Sequence, residues 1–175
     1  MRECHRAFNV CLTRPAGQSG GYNLNPTGAK MTRAFTQKFD VTYRDQDPAG
    51  HVSATMYYVY MLNAYMAYAH ELLEVPLDQG IPQIMLKTSC EYVRSAKWGE
   101  TLELSARITR LGTKSFDLEY LITLADDAKT VIARGASTHV AYDYVTESTV
   151  PLSDTFRARV RQYQEEEAPE LSEVA

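Results

Sequence analysis

Apolar side chains recur at helical spacing between Ser53 and Glu74 and predict one long helix. Further apolar residues fill the remaining surface of this segment, so the helix has to be covered on most of its sides. At about 1.5 Å per residue it would be about 33 Å long, and Pro76 and Gly80 would end it. The apolar set comprises Met56, Tyr57, Tyr60, Met61, Ala64, Tyr65, Tyr68 and Leu72, with Val59, Leu62 and Ala69 on the other faces.

After the helix, the pattern changes to strict alternation, which predicts strands with one buried face. Short connections at 111–113 and 126–127 suit antiparallel hairpins, and residues 131–142 continue the meander. One helix against one such sheet makes an α+β domain. The alternating apolar positions are Leu102, Leu104, Ala106 and Ile108, followed by Phe116, Leu118, Tyr120, Ile122 and Leu124.

Composition narrows the class of protein and its compartment. The 175 residues are 45% hydrophobic and 23% charged, enough for one substantial core, and the net charge of −4 disfavours a general nucleic-acid binder. Cys4, Cys11 and Cys90 are too few and too badly spaced for a disulfide framework or a metal site, which favours a reducing compartment. No apolar run approaches the roughly 20 residues that span a bilayer. We therefore expect a soluble cytoplasmic protein without membrane contact.

The two ends of the chain differ from the segment between them. Residues 1–34 show little apolar periodicity and predict an irregular or disordered leader, in which Met31 is an alternative start and a transit peptide an alternative interpretation. Residues 164–175 are acidic without compensating bases and predict a flexible tail. A single domain is expected over 35–163. The chain lacks a dinucleotide-binding glycine motif, a P-loop, a zinc-protease motif and a nucleophile elbow.

A carboxylate, a tight turn and a helix start fall within nine residues, from Asp45 to Ser53. Unpaired N–H groups and the partial positive charge at a helix N-terminus can polarise a carbonyl oxygen of a bound substrate. Asp47 could then act beside that carbonyl, and the Ser53 hydroxyl is expected to cap the helix. The alternative is a Pro-Gly turn whose aspartates only cap loops.

Several short motifs follow one another along the chain. They are a first strand at 39–43, the turn at 47–52, a helix entry at 53–60, a strand and turn at 90–100, a further turn at 110–116 and a last core strand at 135–140. In this order and spacing they resemble the 4-hydroxybenzoyl-CoA thioesterase-like branch of the hotdog-fold superfamily. The resemblance covers roughly residues 35–163. It implies a hotdog fold, in which a curved antiparallel β-sheet wraps around a long central helix.

The resemblance also implies an acyl-CoA thioesterase that releases a free acid and CoA. An acid at the Asp47 position attacks the thioester or activates a water, while a helix-start N–H, here that of Ala54, polarises the carbonyl oxygen. His51 could donate to the carbonyl, orient Asp47 or protonate the leaving thiol, or it could only stabilise the turn. Asp45 is expected to brace the turn. Relatives often carry asparagines where this chain has Ser53 and Ala54, and acids further along the helix, so contacts from those groups are not carried over.

Substrate contacts and assembly follow from the same resemblance. Ser53, Tyr57, Tyr58 and Met61 are expected to line an acyl pocket, with core packing as the alternative for the larger ones. CoA phosphates are expected near Arg94, Lys97, Arg110 and Lys114, with solvated strand-end charge as the alternative. His139 should lie on a strand, His70 at the exposed end of the helix and His5 in the leader. No cofactor or metal is implied.

The expected assembly is a homodimer or homotetramer with sites at the subunit interface. The partner is an acyl-CoA substrate. The alternatives are a thioesterase for acyl-carrier-protein substrates and a non-catalytic acyl-CoA binding module.

Overall fold

A computed structural model of the chain describes residues 33–76 and 78–165. Five long strands form one antiparallel sheet in the order β1-β3-β4-β5-β2, and a short sixth strand pairs with the end of β5. Along the chain the elements are β1 (Phe35–Asp40), a 3-10 turn (Tyr43–Asp45), α1 (Ala54–Leu73), β2 (Gln83–Tyr92), β3 (Thr101–Leu111), β4 (Ser115–Leu124), β5 (Asp127–Asp143), β6 (Ser148–Thr149) and α2 (Asp154–Glu165).

Helix α1 packs along the inner face of the curved, unclosed sheet. Its bounds confirm the predicted helix, and it ends where Glu74 takes a left-handed backbone conformation with φ of 54°. Tyr68 stacks on Phe35 at a centroid distance of 5.4 Å, and Tyr60 packs on Phe39 at 4.3 Å. One side of the helix is less covered than the sequence predicts, since Tyr58, Val59, Leu62 and Met66 remain exposed.

The predicted alternation is confirmed along β3 and most of β4. Leu102, Leu104 and Ile122 are completely buried, but the alternation breaks near the end of β4, where Thr123 is buried beside a register irregularity and Leu124 is only half-buried. Helix and sheet approach each other closely at Gly135 of β5, where a Cβ atom would overlap the sulfur of Met61. A side chain at this position would therefore force the end of the buried Met61 side chain to move.

Helix α2 was not predicted. It buries Phe156 and Val160 against the main core and closes one end of the domain. Its arginines hold two other elements: Arg157 donates to the Gly112 carbonyl at 2.5 Å, and Arg159 donates to the Leu72 carbonyl at 3.2 Å in the last turn of α1. A cation at the C-terminal end of a helix also favours its dipole.

Two further expectations need correction. The first strand lies at Phe35–Asp40 and not at 39–43, because the chain turns at Tyr43–Asp45, where the Thr42 amide bonds the Asp45 carboxylate. His70 is only 5% exposed, because the chain folds back after α1 and its Nδ1 lies 3.2 Å from the Val75 carbonyl oxygen. His139 does lie on a strand, β5.

The structure covers the two ends of the chain only in part. Residues 1–32 of the leader, including His5, Cys4 and Cys11, lie outside the described residues, whereas Arg33 lies 3.7 Å from Glu71 and Ala34 is buried. Helix α2 continues to Glu165, and residues 166–175 also lie outside them. The domain limits of 35 and 163 therefore remain predictions.

Candidate active site

The segment before α1 is a tight loop held by main-chain hydrogen bonds. Gln46 and Val52 form an isolated antiparallel bridge, and the Asp47 amide donates to the His51 carbonyl at 2.8 Å. The Val52 amide donates at 2.8 Å to Ala96, which is completely buried in the connection between β2 and β3. The loop is thus fixed to the core through its backbone, and within it the Gln46 side-chain amide donates to the Gly50 carbonyl at 2.7 Å.

The two aspartates of this loop have different surroundings. Asp45 is 8% exposed, and its carboxylate accepts the Thr42 amide at 2.7 Å and the Thr42 hydroxyl at 3.0 Å. Burial raises the pKa of the nearby Tyr60, and its interaction with the Asp45 carboxylate raises this pKa further. Asp45 therefore holds the 3-10 turn in place, which agrees with its expected bracing role.

Asp47 is exposed at the tip of the loop. Its Oδ1 accepts the Ala49 amide at 2.8 Å, and its carbonyl accepts the Gly50 amide at 3.0 Å. Gly50 has φ of 77°, a conformation that favours glycine, and this lets the chain reverse between Asp47 and His51. One carboxylate oxygen is thus held by the loop, and hydrogen-bond capacity remains on the other for a substrate or a water.

The start of α1 lacks the expected cap. Ser53 occupies the N-cap position, but its hydroxyl makes no capping hydrogen bond and pairs instead with the Thr55 hydroxyl at 3.0 Å. The prediction of a hydroxyl cap is therefore wrong, because that hydroxyl is engaged two residues along. The Met56 amide donates to the Ser53 carbonyl at 2.9 Å, whereas the amides of Ala54 and Thr55 have no acceptor among the described residues, and both residues are exposed. An oxygen atom of a ligand can therefore approach them.

His51 is half-buried between the loop tip and the helix start. Its carbonyl accepts the Asp47 amide, so a main-chain hydrogen bond holds these two residues next to each other. Among the described residues, no hydrogen bond or ion pair of its imidazole is present. The ring is therefore available to a ligand but is not oriented by a carboxylate partner.

Aromatic side chains surround the first turn of α1. Tyr92, at the end of β2, donates its hydroxyl to the Ala54 carbonyl at 3.1 Å, and its ring lies 5.1 Å from that of Tyr57. Partial burial and then a hydrogen bond with Tyr58 raise the pKa of Tyr92 to about 12, while burial raises the pKa of the neighbouring Cys90 thiol. Sequence reasoning did not single out Tyr92 or Cys90 as site residues, although it placed both on the strand that leads to this region.

The residues expected to contact the acyl group differ in exposure. Tyr57 is 3% exposed and Met61 is 2% exposed, so both pack in the core. The Tyr57 hydroxyl accepts the Ala96 amide at 3.4 Å, and burial raises its pKa. Tyr58 is 37% exposed and lies beside Tyr92. Of these aromatic and apolar candidates, Tyr58 is the one that a ligand can reach directly.

The four candidate bases for CoA fall into two groups. Arg94 and Lys97 lie in the connection that also holds Ala96; Arg94 pairs with Glu100 at 2.8 Å. The other two lie at the turn between β3 and β4, at the opposite end of β3, where Arg110 pairs with Asp117 and Lys114 donates to the Thr149 carbonyl. Within one chain, Arg94 and Lys97 are thus near the Asp47 loop, whereas Arg110 and Lys114 are not.

A groove of about 670 Å³ lies on the sheet and is lined by residues from β2, β3, β4 and β5. Ser105, Leu121 and Arg134 line it through outward-facing positions, and neither Asp47 nor His51 does. Two of its charged side chains are paired, since Arg107 bonds Glu119 at 3.0 Å. This groove is therefore separate from the loop and helix start described above.

Within 33–76 and 78–165, no group of three or more His, Cys, Asp or Glu side chains is arranged to hold a metal ion. None of the helices described there is both long and apolar enough to cross a membrane.

Comparison with known proteins identifies the family. A model of the thioesterase-like superfamily matches residues 41–160, whereas no curated protein matches the sequence. Among solved structures, a protein from Pseudomonas aeruginosa is 26% identical with a TM-score of 0.64, and the match covers 71% of this chain and 97% of that one.

Two further solved structures share the architecture. The 1,4-dihydroxy-2-naphthoyl-CoA thioesterase from Synechocystis is 21% identical with a TM-score of 0.65, covering 73% of this chain and 96% of its own. A thioesterase from Thermus thermophilus, solved with coenzyme A and Zn, is 23% identical with a TM-score of 0.66, covering 75% and 95%. The family model spans most of the domain and the architectures agree, so this chain belongs to the thioesterase-like superfamily and is a thioester hydrolase with a hotdog fold.

Proposed function

We propose that the protein hydrolyses an acyl-CoA thioester to a free acid and CoA. Asp47 is the general base or nucleophile, the Ala54 N–H is the oxyanion donor and His51 is an auxiliary group. The observation that carries this proposal is the exposed carboxylate of Asp47 on a loop tied to the core, close in sequence to the uncapped start of α1. A thioester is electrophilic enough for one carboxylate and one donor to suffice.

Two routes to the products use these groups. As a base, Asp47 takes a proton from water while the water oxygen bonds to the thioester carbon. As a nucleophile, its own oxygen forms that bond, and water later hydrolyses the resulting anhydride. In both routes the carbonyl oxygen becomes an oxyanion that accepts the Ala54 N–H, and collapse breaks the C–S bond. The CoA thiolate then takes a proton, which we assign to His51.

We expect the acyl group to lie along the first turns of α1. Tyr58 provides the exposed aromatic surface, and Ser53 lies at the entrance. Tyr57 and Met61 would contact the substrate only where its acyl group enters between the helix and the sheet, because both are buried.

Coenzyme A as the thiol is supported by two of the solved relatives, one of which is named for an acyl-CoA substrate while the other holds coenzyme A. Of the four candidate bases, Arg94 and Lys97 lie on the same side of the domain as the Asp47 loop. We assign Arg110 and Lys114 to CoA only if a second subunit brings them to this site.

We also propose at least a homodimer, with a homotetramer as the larger possibility. Strand β2 is at the end of the sheet order, so one of its edges has no strand partner within the described chain. Leu86 on this strand is 63% exposed and Val93 just beyond it is 54% exposed, next to the uncovered side of α1. Light scattering after gel filtration should give at least twice the chain mass, and a monomer at all working concentrations would refute the assembly.

The activity test compares wild type with Asp47→Asn on a panel of short, medium, long and aryl acyl-CoA esters, measuring thiol release. Asp78→Asn is the matched control, because Asp78 is also exposed but lies beyond the end of α1. We expect Asp47→Asn to remain folded and to lose turnover, while the control keeps it. Full turnover in Asp47→Asn would refute the assignment. No turnover by folded wild type on any ester would favour a carrier-protein substrate or a binding module.

A further inference from the structure

Two large aromatic rings are exposed together beside the candidate active site. Tyr43 is 72% exposed and Trp98 is 63% exposed. Their ring centroids lie 5.6 Å apart with an interplanar angle of 80°, so the rings form an open corner. A flat aromatic ligand that stacks on one ring of such a corner meets the other ring edge to face, and both arrangements are favourable.

Hydrogen bonds of the main chain hold the corner in shape. The Gly99 amide donates to the Val41 carbonyl at 3.2 Å, and the Val41 amide donates to the Glu100 carbonyl at 2.9 Å. These bonds join the turn that carries Tyr43 to the turn that carries Trp98. Gly99 has φ of 87°, which permits the sharp reversal just after the tryptophan. Binding at the corner would therefore need little ordering of the backbone.

Positive charge flanks the corner. Arg44 follows Tyr43 directly, Lys97 precedes Trp98, and Arg94 lies in the same connection. Arg94 pairs with Glu100, whereas Arg44 and Lys97 form no ion pair within the described residues. The Lys97 amide and Arg94 hold the pKa of Glu100 below its usual range against the opposing effect of partial burial. Two unpaired bases thus remain for a phosphate in a chain whose net charge is −4.

A second aromatic corner provides an internal comparison. Tyr142 and Tyr144 also meet edge to face, with centroids 5.2 Å apart and an interplanar angle of 74°, and Tyr144 is 60% exposed. Asp143 lies between the two tyrosines in sequence, and Glu147 follows them. The Asp143 carboxylate accepts hydrogen bonds from two main-chain amides of its own turn. Similar ring geometry with acidic neighbours does not suit a phosphorylated ligand.

We propose that the Tyr43–Trp98 corner binds the adenine base of coenzyme A, with Arg44 and Lys97 contacting its phosphates. This assignment rests on the proposed acyl-CoA hydrolysis and adds a nucleotide subsite to it. Tyr43 is four residues from Asp47, a chain length that spans at most about 14 Å, so the corner is near the reacting thioester. The pantetheine arm connects the two positions. A carrier protein presents the same arm without an adenine, so this corner would favour CoA over a carrier-protein substrate.

Trp98 is the single tryptophan of the chain, so its fluorescence reports on the corner alone. Adenosine 3′,5′-bisphosphate, which lacks the pantetheine arm, should change the emission of the full-length protein in a saturable way, and pantetheine should not. Tyr43→Ala should weaken the nucleotide response roughly tenfold, the size expected for loss of one stacking partner. Tyr144→Ala, the matched control at the other corner, should leave it unchanged.

Kinetics separate this inference from the proposed function. Trp98→Ala and Tyr43→Ala should raise KM for benzoyl-CoA about tenfold with little change in kcat, and neither should affect hydrolysis of the matching benzoyl-pantetheine thioester. Emission that does not respond to the nucleotide, in a protein that hydrolyses benzoyl-CoA, would overturn the subsite alone. Equal losses of kcat/KM on benzoyl-CoA and on benzoyl-pantetheine would also overturn the subsite. A nucleotide response without any hydrolysis would support the subsite and reject the proposed reaction.

Discussion

Protonation of His139 should destabilise the protein at mildly acidic pH. The ring is completely buried, stacked 3.9 Å from Tyr65, and its Nε2 lies 2.8 Å from the Ser137 hydroxyl. Its Nδ1 has no hydrogen-bond partner among the described residues, so a proton there would be buried without an acceptor. Burial lowers the pKa of His139 from 6.5 to about 4, against the opposing charge of Asp117.

The sign and size of the change in stability follow from the difference between the native and unfolded pKa values of His139. Because the native pKa is the lower one, the unfolded chain binds this proton first, and the free energy of unfolding falls as the pH drops from about 6.5 to about 4. At about 1.4 kcal/mol per pH unit, the full difference is worth roughly 3 kcal/mol, of which roughly 2 kcal/mol is lost by pH 5. Carboxylates contribute little above that pH because their usual pKa values are near 4.

The assay is urea unfolding at pH 7.5 and pH 5, comparing wild type with His139→Gln. The variant removes one titrating group and leaves the other histidines in place, so the difference between the two pH dependences belongs to His139. We expect wild type to lose roughly 2 kcal/mol more than the variant between these conditions. His139→Phe, which keeps a ring beside Tyr65, is a second variant. Equal losses in all three proteins would refute the reasoning.

Three other substitutions test the packing and the site. Gly135→Ala should lower the free energy of unfolding in urea by about 1–3 kcal/mol, since its methyl group overlaps Met61. When Met61→Ala is already present, adding Gly135→Ala should cost less. Tyr92→Phe removes the hydrogen bond to the Ala54 carbonyl and should lower kcat severalfold with little change in KM, because the oxyanion donor is less well positioned. Asp45→Ala should destabilise the fold by about 1–3 kcal/mol in the same urea assay, because the buried turn loses its acceptor.

Matched variants control for these three changes. Gly80→Ala introduces the same methyl group where no atom lies within 4 Å, and it should not destabilise the fold. Tyr144→Phe removes a similar exposed hydrogen bond, to the Gln83 carbonyl, and should leave kcat unchanged. Asp78→Ala removes an exposed acid and should change stability by less than about 0.5 kcal/mol. A control that behaves like its test variant would count against the corresponding contact.

Local periodicity predicted much of the fold. The helix from Ser53 to Glu74 and the alternation around Leu102 and Phe116 needed only the spacing of apolar side chains, and the structure agrees with both. The different roles of Asp45 and Asp47 could be proposed from their order in the chain. The buried setting of Asp45 agrees with its bracing role, while catalysis by Asp47 remains a prediction.

Features that depend on distant contacts could not be predicted in the same way. Helix α2 contains arginines that look solvated in the sequence, yet Arg157 and Arg159 donate to carbonyl groups far away in the chain. His70 carries no sequence signal for burial, because its partner carbonyl depends on how the chain folds back after α1. Tyr92 reaches the helix start only through the curvature of β2 against α1, which no local pattern specifies.

The main-chain anchoring of the 45–53 loop has a consequence for how new activities can arise in this protein. Its bridge and its bond to Ala96 use backbone atoms only, so substitutions at Ala49 or His51 leave the anchors unchanged. The side chains at these two positions can therefore vary with little effect on folding. A library restricted to them should yield mostly folded proteins, and selection for altered turnover could therefore begin there.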